Sequence, residues 1–188
     1  MQPLKAFLQK LIPALPAVEL DELLALWNTE RTLVRGELLN LKGQVENYMY
    51  FVLEGTFRIC YETEEQEIVV GFGYPGTLLQ DSPSFLSGKP SKFYIEAIKA
   101  AKLIGIHRTD LYAFVEQNHT FATFWRKLIE QAVLAQIERE TDLLTNSPQE
   151  RYQRLKNRSP HVFQLIPNKH IASYLRMTPE TLSRLKKR

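Results

Sequence analysis

The spacing of apolar residues along this chain changes character several times, and each change marks an element boundary. From Leu4 to Leu26 the spacing is helical. Leu4, Phe7, Leu8 and Leu11 share one face, and Leu20, Leu23, Leu24 and Trp27 share another. Pro13 and Pro16 part the two sets, because proline inside a helix removes a donor and clashes with the preceding turn. These helices are expected to pack over the middle of the chain. From Arg31 to Arg108 alternation takes over, in the runs Tyr48–Leu53, Thr56–Tyr61, Ile68–Phe72 and Tyr94–Ile98. Turn material separates the runs: Lys42-Gly43-Gln44, Glu54-Gly55 and Glu62 to Gln66. All eight glycines of the chain fall between Gly36 and Gly105. Many short strands joined by glycine turns predict a barrel or jelly roll.

Helical spacing returns from Thr109 to Leu144. Leu111, Phe114 and Val115 make one short amphipathic set. A longer helix then starts near Thr120, with more apolar residues than one face can hold. A helix apolar on two sides touches two partners. One is the roll. The other is either the C-terminal segment or a second copy of the same helix in a parallel coiled-coil seam. The second copy is favoured, since symmetric dimers are the commonest oligomers. Phe121, Phe124, Trp125, Leu128, Ile129, Ala132 and Ala135 are the residues expected at that dimer helix. Asn146-Ser147-Pro148 ends the pattern. Ser147 suits a helix cap, Pro148 the first helical position and Glu150 the first turn. That helix carries Tyr152 and Leu155, and His161 to Ile166 reads as a short strand or irregular cover.

The last stretch, Asn168 to Arg188, contains two short helical patterns on either side of a break at Arg176–Met177–Thr178. Ile171, Ala172 and Leu175 form the apolar face of the first. Thr178 caps the second, Pro179 occupies its first position, and Leu182 and Leu185 give it a narrow apolar stripe. A helix held by one stripe, with donors and cations on its other faces, suits a DNA major groove; the alternative is an ordinary helical hairpin with a solvated basic end. Three segments are expected: a barrel or jelly-roll unit over 1–118, a long helix over 119–146, and a basic helical unit over 147–188.

Charge supports that division. From Pro148 onward ten Lys and Arg side chains face only Glu150 and Glu180, a balance of +8, which leaves −5 for the remainder of a chain whose total is +3. A basic end on an acidic body calls for a polyanion partner at that end. The single cysteine, Cys60, rules out an intrachain disulfide and a cysteine-only metal or iron–sulfur site. The start of the chain lacks a signal-peptide pattern and no window reaches a membrane span, so a cytoplasmic protein with no membrane partner is expected. A jelly-roll metalloenzyme needs clustered histidines. Only His107 of the four lies near the roll, no His-x-His occurs, and no nucleophile triad, P-loop or Rossmann glycine pattern is present. The chain is therefore not expected to be an enzyme, nor to carry a metal.

Glycine-rich roll, long helix and basic helix-turn-helix, in that order, resemble the Crp/Fnr family of bacterial transcription regulators. The likeness covers nearly the whole chain. It is carried by Arg35-Gly36-Glu37 with Gly43, by Tyr50 to Gly55 with Arg58, by Pro75-Gly76 through Ala97, and by Ile171 to Leu175 with Thr178 to Arg184. The last stretch resembles a branch common in Bacteroidetes-type bacteria. The resemblance implies an α+β chain: a cyclic-nucleotide-binding-like β-roll (jelly roll), a long dimerisation helix and a winged-helix/helix-turn-helix domain. It also implies a homodimer bound to double-stranded DNA, acting indirectly on RNA polymerase. By carry-over, Glu180, Thr181, Ser183 and Arg184 face the groove, while Lys169, His170, Thr178, Lys186 and Lys187 lie near phosphates. Pro179 stands where familiar members place a base-reading arginine.

The same carry-over bears on a ligand. The family's cassette offers a Glu after its glycine for the ribose and an Arg-Ser pair for the cyclic phosphate. Here Gly76 is followed by Thr77, and Ser91 and Lys92 replace the pair, followed by Phe93. A lysine is not an equivalent phosphate clamp. Cyclic AMP is therefore not the expected effector, no cofactor is expected, and the roll senses another small molecule or none. Gly76, Thr77, Leu78, Leu79, Ser91, Lys92 and Phe93 are the implied pocket residues. Two alternatives stand beside this reading: a cyclic-nucleotide-responsive regulator, and a ligand-sensing or scaffold protein that no longer binds DNA.

Overall fold

A computed structural model describes residues 1–145 and 147–187. Asn146, at the break before Ser147, and Arg188, the last of the basic residues, lie outside the described residues. The chain opens with α1 (Gln2–Leu11) and α2 (Ala17–Leu26), parted by the prolines as their backbone chemistry requires. Trp27 does not extend α2; it starts the first strand.

Eight strands come next: β1 (Trp27–Leu33), β2 (Leu38–Asn40), β3 (Tyr48–Glu54), β4 (Phe57–Glu62), β5 (Glu67–Gly73), β6 (Leu78–Leu79), β7 (Phe93–Ala97) and β8 (Ala101–His107). They form two four-stranded antiparallel sheets, ordered β1-β8-β3-β6 and β2-β7-β4-β5. A short helix, α3 (Ser82–Ser87), lies between β6 and β7.

Strand β3 shows why the fold closes on itself. Met49, Tyr50, Phe51 and Val52 are all buried, because both faces of the strand are covered. Tyr50 and Val52 join Leu33, Phe57, Leu79, Ile95 and Leu103 between the sheets. Met49 and Phe51 point outward, onto Leu8, Leu23, Trp27, Leu111 and Phe121 of the surrounding helices. The ring of Phe7 on α1 lies 5.0 Å from that of Phe51. Gly55 makes the tight turn after β3. It sits at φ +88°, and a Cβ there would lie 2.6 Å from the Ala100 carbonyl oxygen.

Beyond the sheets come α4 (Arg108–Gln117) and the long α5 (His119–Thr145). His107 caps α4 by accepting from the Thr109 N–H. Residues 147–187 then form α6 (Pro148–Arg158), α7 (Val162–Leu165), α8 (Asn168–Tyr174) and α9 (Pro179–Lys186). Ser147 and Glu150 close a full capping box at the start of α6. The segment 161–166 holds the short helix α7 rather than a strand, and its Val162 and Ile166 enter the C-terminal core. Among the described residues no strand follows His107, so the expected wing is not found among them. Tyr152, Leu155, Ile171, Ala172, Leu175 and Leu182 make its core instead.

That core is continuous with the roll. Ile98, Phe72 and Tyr74 pack into it, and the Val69 N–H on β5 donates to Ser173 Oγ on α8 at 3.0 Å. Ion pairs tie α6 to α5: Arg154 meets Asp142 at 2.7 Å, and Arg158 meets Glu138 at 3.7 Å. No helix among the described residues is long and apolar enough to cross a membrane.

Candidate functional site

The first site is the α8–α9 pair. The chain turns between the helices at Leu175 to Thr178, with Arg176 in the left-handed region at φ +54°. The Met177 N–H reaches back to the Ala172 carbonyl, which satisfies an end-of-helix acceptor. Arg151 donates to the carbonyls of Leu175, at 2.9 Å, and Arg176. Thr178 caps α9 by accepting from the Thr181 N–H at 3.2 Å. Leu182 is fully buried and Leu185 partly so, which fixes the rotation of α9 and turns Glu180, Ser183, Arg184 and Lys187 outward into solvent. Thr181 is half-buried beside the cap. The Glu180 carboxyl is held below the usual range by the N–H groups and the Thr178 hydroxyl at the helix start, with Arg184 adding to the effect.

Lys169 is exposed at the start of α8, and Lys186 Nζ lies 2.6 Å from Asn168 Oδ1. His170 departs from its expected role beside phosphates. It is buried between α8 and the roll, and burial, together with Arg58 and Lys169, pushes its pKa down to about 4. At neutral pH it is an uncharged packing residue. The basic balance of the segment is also partly spent inside the molecule, since Arg151, Arg154 and Arg158 serve carbonyls and carboxylates. Among the described residues, the exposed cations that remain near the pair are Lys169, Arg176, Arg184, Lys186 and Lys187.

The second site is a cavity of about 640 Å³ between the roll and α5. Leu78, Leu79 and Phe93 line it, as do Met49, Ile59, Val70 and Phe72 of the strands and Trp125, Leu128, Ile129, Ala132 and Val133 of α5. Four residues expected at the pocket do not line it. Gly76 and Thr77 form a turn at its edge, where the Thr77 hydroxyl donates to the Tyr74 carbonyl. Lys92 is exposed to solvent. Ser91 is buried behind the wall, where its hydroxyl meets Asp81 Oδ2 and accepts from the Phe93 N–H.

The polar residues that do reach the cavity were not legible as such: Gln80, Asp81, Ser82, Gln136 and Arg139. Asp81 caps α3, accepting from the Ser84 N–H. The Ser84 hydroxyl in turn ties the Glu46 N–H and the Lys89 carbonyl into the same knot. Cys60 is buried within the second sheet, and burial pushes its thiol up to about 11, so it is a packing group and no nucleophile at neutral pH.

The long helix α5 presents two faces, but the division differs from the one expected. Phe121 and Trp125 are buried in the chain's own core, with Phe124, Leu128 and Ile129 packed against it. Ala132 lines the cavity. Of the expected dimer residues only Ala135 belongs to the exposed part of the helix that faces neither. The large apolar side chains left in solvent are Val133, Leu134, Ile137 and Leu144, each more than half exposed. Leu134, Ile137, Thr141 and Leu144 follow a 3-4-3 spacing, the seam of a coiled coil.

Two antiparallel sheets, a short capped helix between β6 and β7 and a cavity bordered by a long helix define a fold class. Residues 30–118 match the family model of the cyclic nucleotide-binding domain. Solved structures extend the likeness over most of the chain. FixK2 of Bradyrhizobium japonicum is 19% identical, with 85% of this chain and 82% of that chain covered and a TM-score of 0.67. The catabolite activator protein of Thermus thermophilus is 22% identical, with coverage of 94% and 84% and a TM-score of 0.60. The c-di-GMP-responsive global regulator CLP of Xanthomonas campestris is 16% identical, with coverage of 92% and 90% and a TM-score of 0.61. At these identities the likeness speaks for the fold. No curated protein matches the chain.

Proposed function

We propose that this chain is a homodimeric, sequence-specific DNA-binding transcription regulator of the Crp/Fnr type, and not an enzyme. The observation that carries the reading is the α8–α9 pair: a left-handed turn at Arg176, a Thr178 cap, and a helix held by Leu182 that leaves Glu180, Ser183, Arg184 and Lys187 free. Read as a helix-turn-helix, it sets α9 in the major groove, with Arg184 suited to guanine O6 and N7 and Glu180 to a cytosine amino group. Lys169, Lys186 and Lys187 then fall to phosphates, which position the protein without specifying sequence. The open 3-4-3 stripe on α5 supplies the dimer seam. Two recognition helices about 34 Å apart would read a pseudo-palindrome. The roll is the sensing unit. RNA polymerase is the indirect partner, and the cytoplasm is the place of action.

Binding to genomic fragments tests this. Arg184→Ala is expected to lower specific affinity by about 1–3 kcal/mol, with salt-sensitive non-specific binding retained. An unchanged footprint in that variant would remove Arg184 from the interface. Absence of any DNA binding by the wild-type dimer at moderate salt would favour the scaffold alternative.

A further inference from the structure

Among the described residues the cavity between the roll and α5 is lined by one acid, Asp81, and one base, Arg139, with Gln80, Ser82 and Gln136 as neutral polar neighbours. The two oxygens of Asp81 accept from the Ser84 N–H and the Ser91 hydroxyl. Glu46 lies near enough to feel that charge, and burial together with Asp81 raises its pKa to about 7. Asp81 repels an anion. Arg139, on α5, is the one Lys or Arg lining the cavity among the described residues. Its guanidinium lies over the Tyr174 ring at 4.6 Å, and Nη2 donates weakly to the Tyr174 carbonyl at 3.5 Å. Its Nε is buried and has no acceptor. A buried donor on a charged group without an acceptor is costly, so the site is incomplete as it stands. The remaining wall is largely aliphatic and aromatic, and the volume falls in the range of small-molecule sites.

We propose that this cavity binds an apolar carboxylate, with Arg139 as its anion partner, and that the same contact relays occupancy to α8. A carboxylate set side-on against a guanidinium takes Nε and Nη2 together. Nε has no acceptor but is shielded where the side chain now lies, and Nη2 holds the Tyr174 carbonyl, so the two-pronged contact forms only as the guanidinium swings off Tyr174 toward the cavity. Ligand binding therefore competes with the contact between α5 and the end of α8. The Tyr174 ring also lies 5.3 Å from Phe72, and Phe72 lines the cavity. The ligand thus meets both residues that flank Tyr174. Ile59, Val70, Leu78, Leu128 and Ile129 suit an alkyl or aromatic body. The relay rests on the regulator reading; the binding does not.

Calorimetry on the full chain, with dodecanoate, dodecanol and cyclic AMP as probes, tests the binding. Dodecanoate should bind more tightly than dodecanol by about 10–100-fold, the worth of a hydrogen bond to a charged group. Arg139→Gln should bring dodecanoate down to the dodecanol level. Ala132→Trp, which fills the cavity and removes no contact, should abolish binding of both. Equal affinity for dodecanoate and dodecanol, no dodecanoate binding, tighter binding of cyclic AMP, or unchanged affinity in Arg139→Gln overturns the proposal. For the relay, saturating dodecanoate should speed amide exchange across Ser173 to Arg176; unchanged exchange overturns that part. DNA affinity is measured separately. A chain that binds dodecanoate but no DNA loses the regulator reading and keeps this one, and the reverse result does the opposite.

Discussion

Replacing Leu134 and Ile137 together by glutamate should convert the protein to a monomer. Leu134 is 58% exposed and Ile137 54%. Fully burying such a side chain is worth about 1.5–3 kcal/mol, so the part still open to water is worth about 1–1.5 kcal/mol each. A two-fold seam covers four of these side chains, about 4–6 kcal/mol in all, which corresponds to about 10³–10⁴ in the dissociation constant. The glutamates add like-charge repulsion across the seam. The monomer itself should be undisturbed, because neither side chain belongs to a buried core cluster. Sedimentation velocity over a concentration series, with thermal melting beside it, reads both quantities. A double variant with the wild-type dissociation constant, or a wild-type protein that stays monomeric at the highest concentration, would refute the seam. By contrast, Trp125→Ala should lower the melting temperature, since that ring belongs to the chain's own core.

Three further outcomes are expected. Gly55→Ala should cost about 3 kcal/mol or more, because it adds left-handed strain and a collision with the Ala100–Ala101 backbone; denaturant unfolding measures it. Leu182→Ala should cost about 2–5 kcal/mol, and its loss should appear as early exchange of α8 and α9 while the roll stays protected. The packing of α8 on the roll should weaken with acid. His170 titrates near 4 in place and near 6.5 when free, so the released state takes up the proton first. The contact is at full strength above pH 6.5 and is lost progressively as pH falls toward 4. His170→Gln should flatten that dependence, read by exchange at the Val69 amide.

Periodicity made most elements legible, because each rule used is local. Proline parted α1 from α2, alternation marked β3, β4, β5 and β7, and the Ser147 and Thr178 caps fall where the structure has them. Three things were beyond local rules. The segment 161–166 alternates like a strand, yet its Val162 and Ile166 point into one core from a helical turn, a tertiary demand with no local sign. The apolar residues of α5 count correctly as two faces, but Phe121 to Ile129 turn inward and the open stripe starts only at Leu134. That division depends on where the roll ends in space. The family likeness points to Gly76–Thr77 for the cavity, but that turn does not line it, whereas Asp81 and Arg139 reach it from elements far apart in sequence. Arg139 reads in the sequence as one more exposed charge on a solvated helix. Only the cavity beside it and the unmatched Nε distinguish it.

Strand β5 is the last strand of its sheet, so one row of its amides has no neighbouring strand. The C-terminal unit supplies the guard: Ser173 takes the Val69 amide, and Tyr174 lies across Phe72. An uncovered strand edge is a template for pairing with another chain. Any rearrangement that carries α8 off the roll therefore exposes both an apolar patch and a row of free amides, and self-association becomes the competing fate of the opened form. Trimming the chain after α5 would leave that edge bare permanently. The helical unit that reads as the business end of the molecule is thus also what keeps its roll from sticking to others.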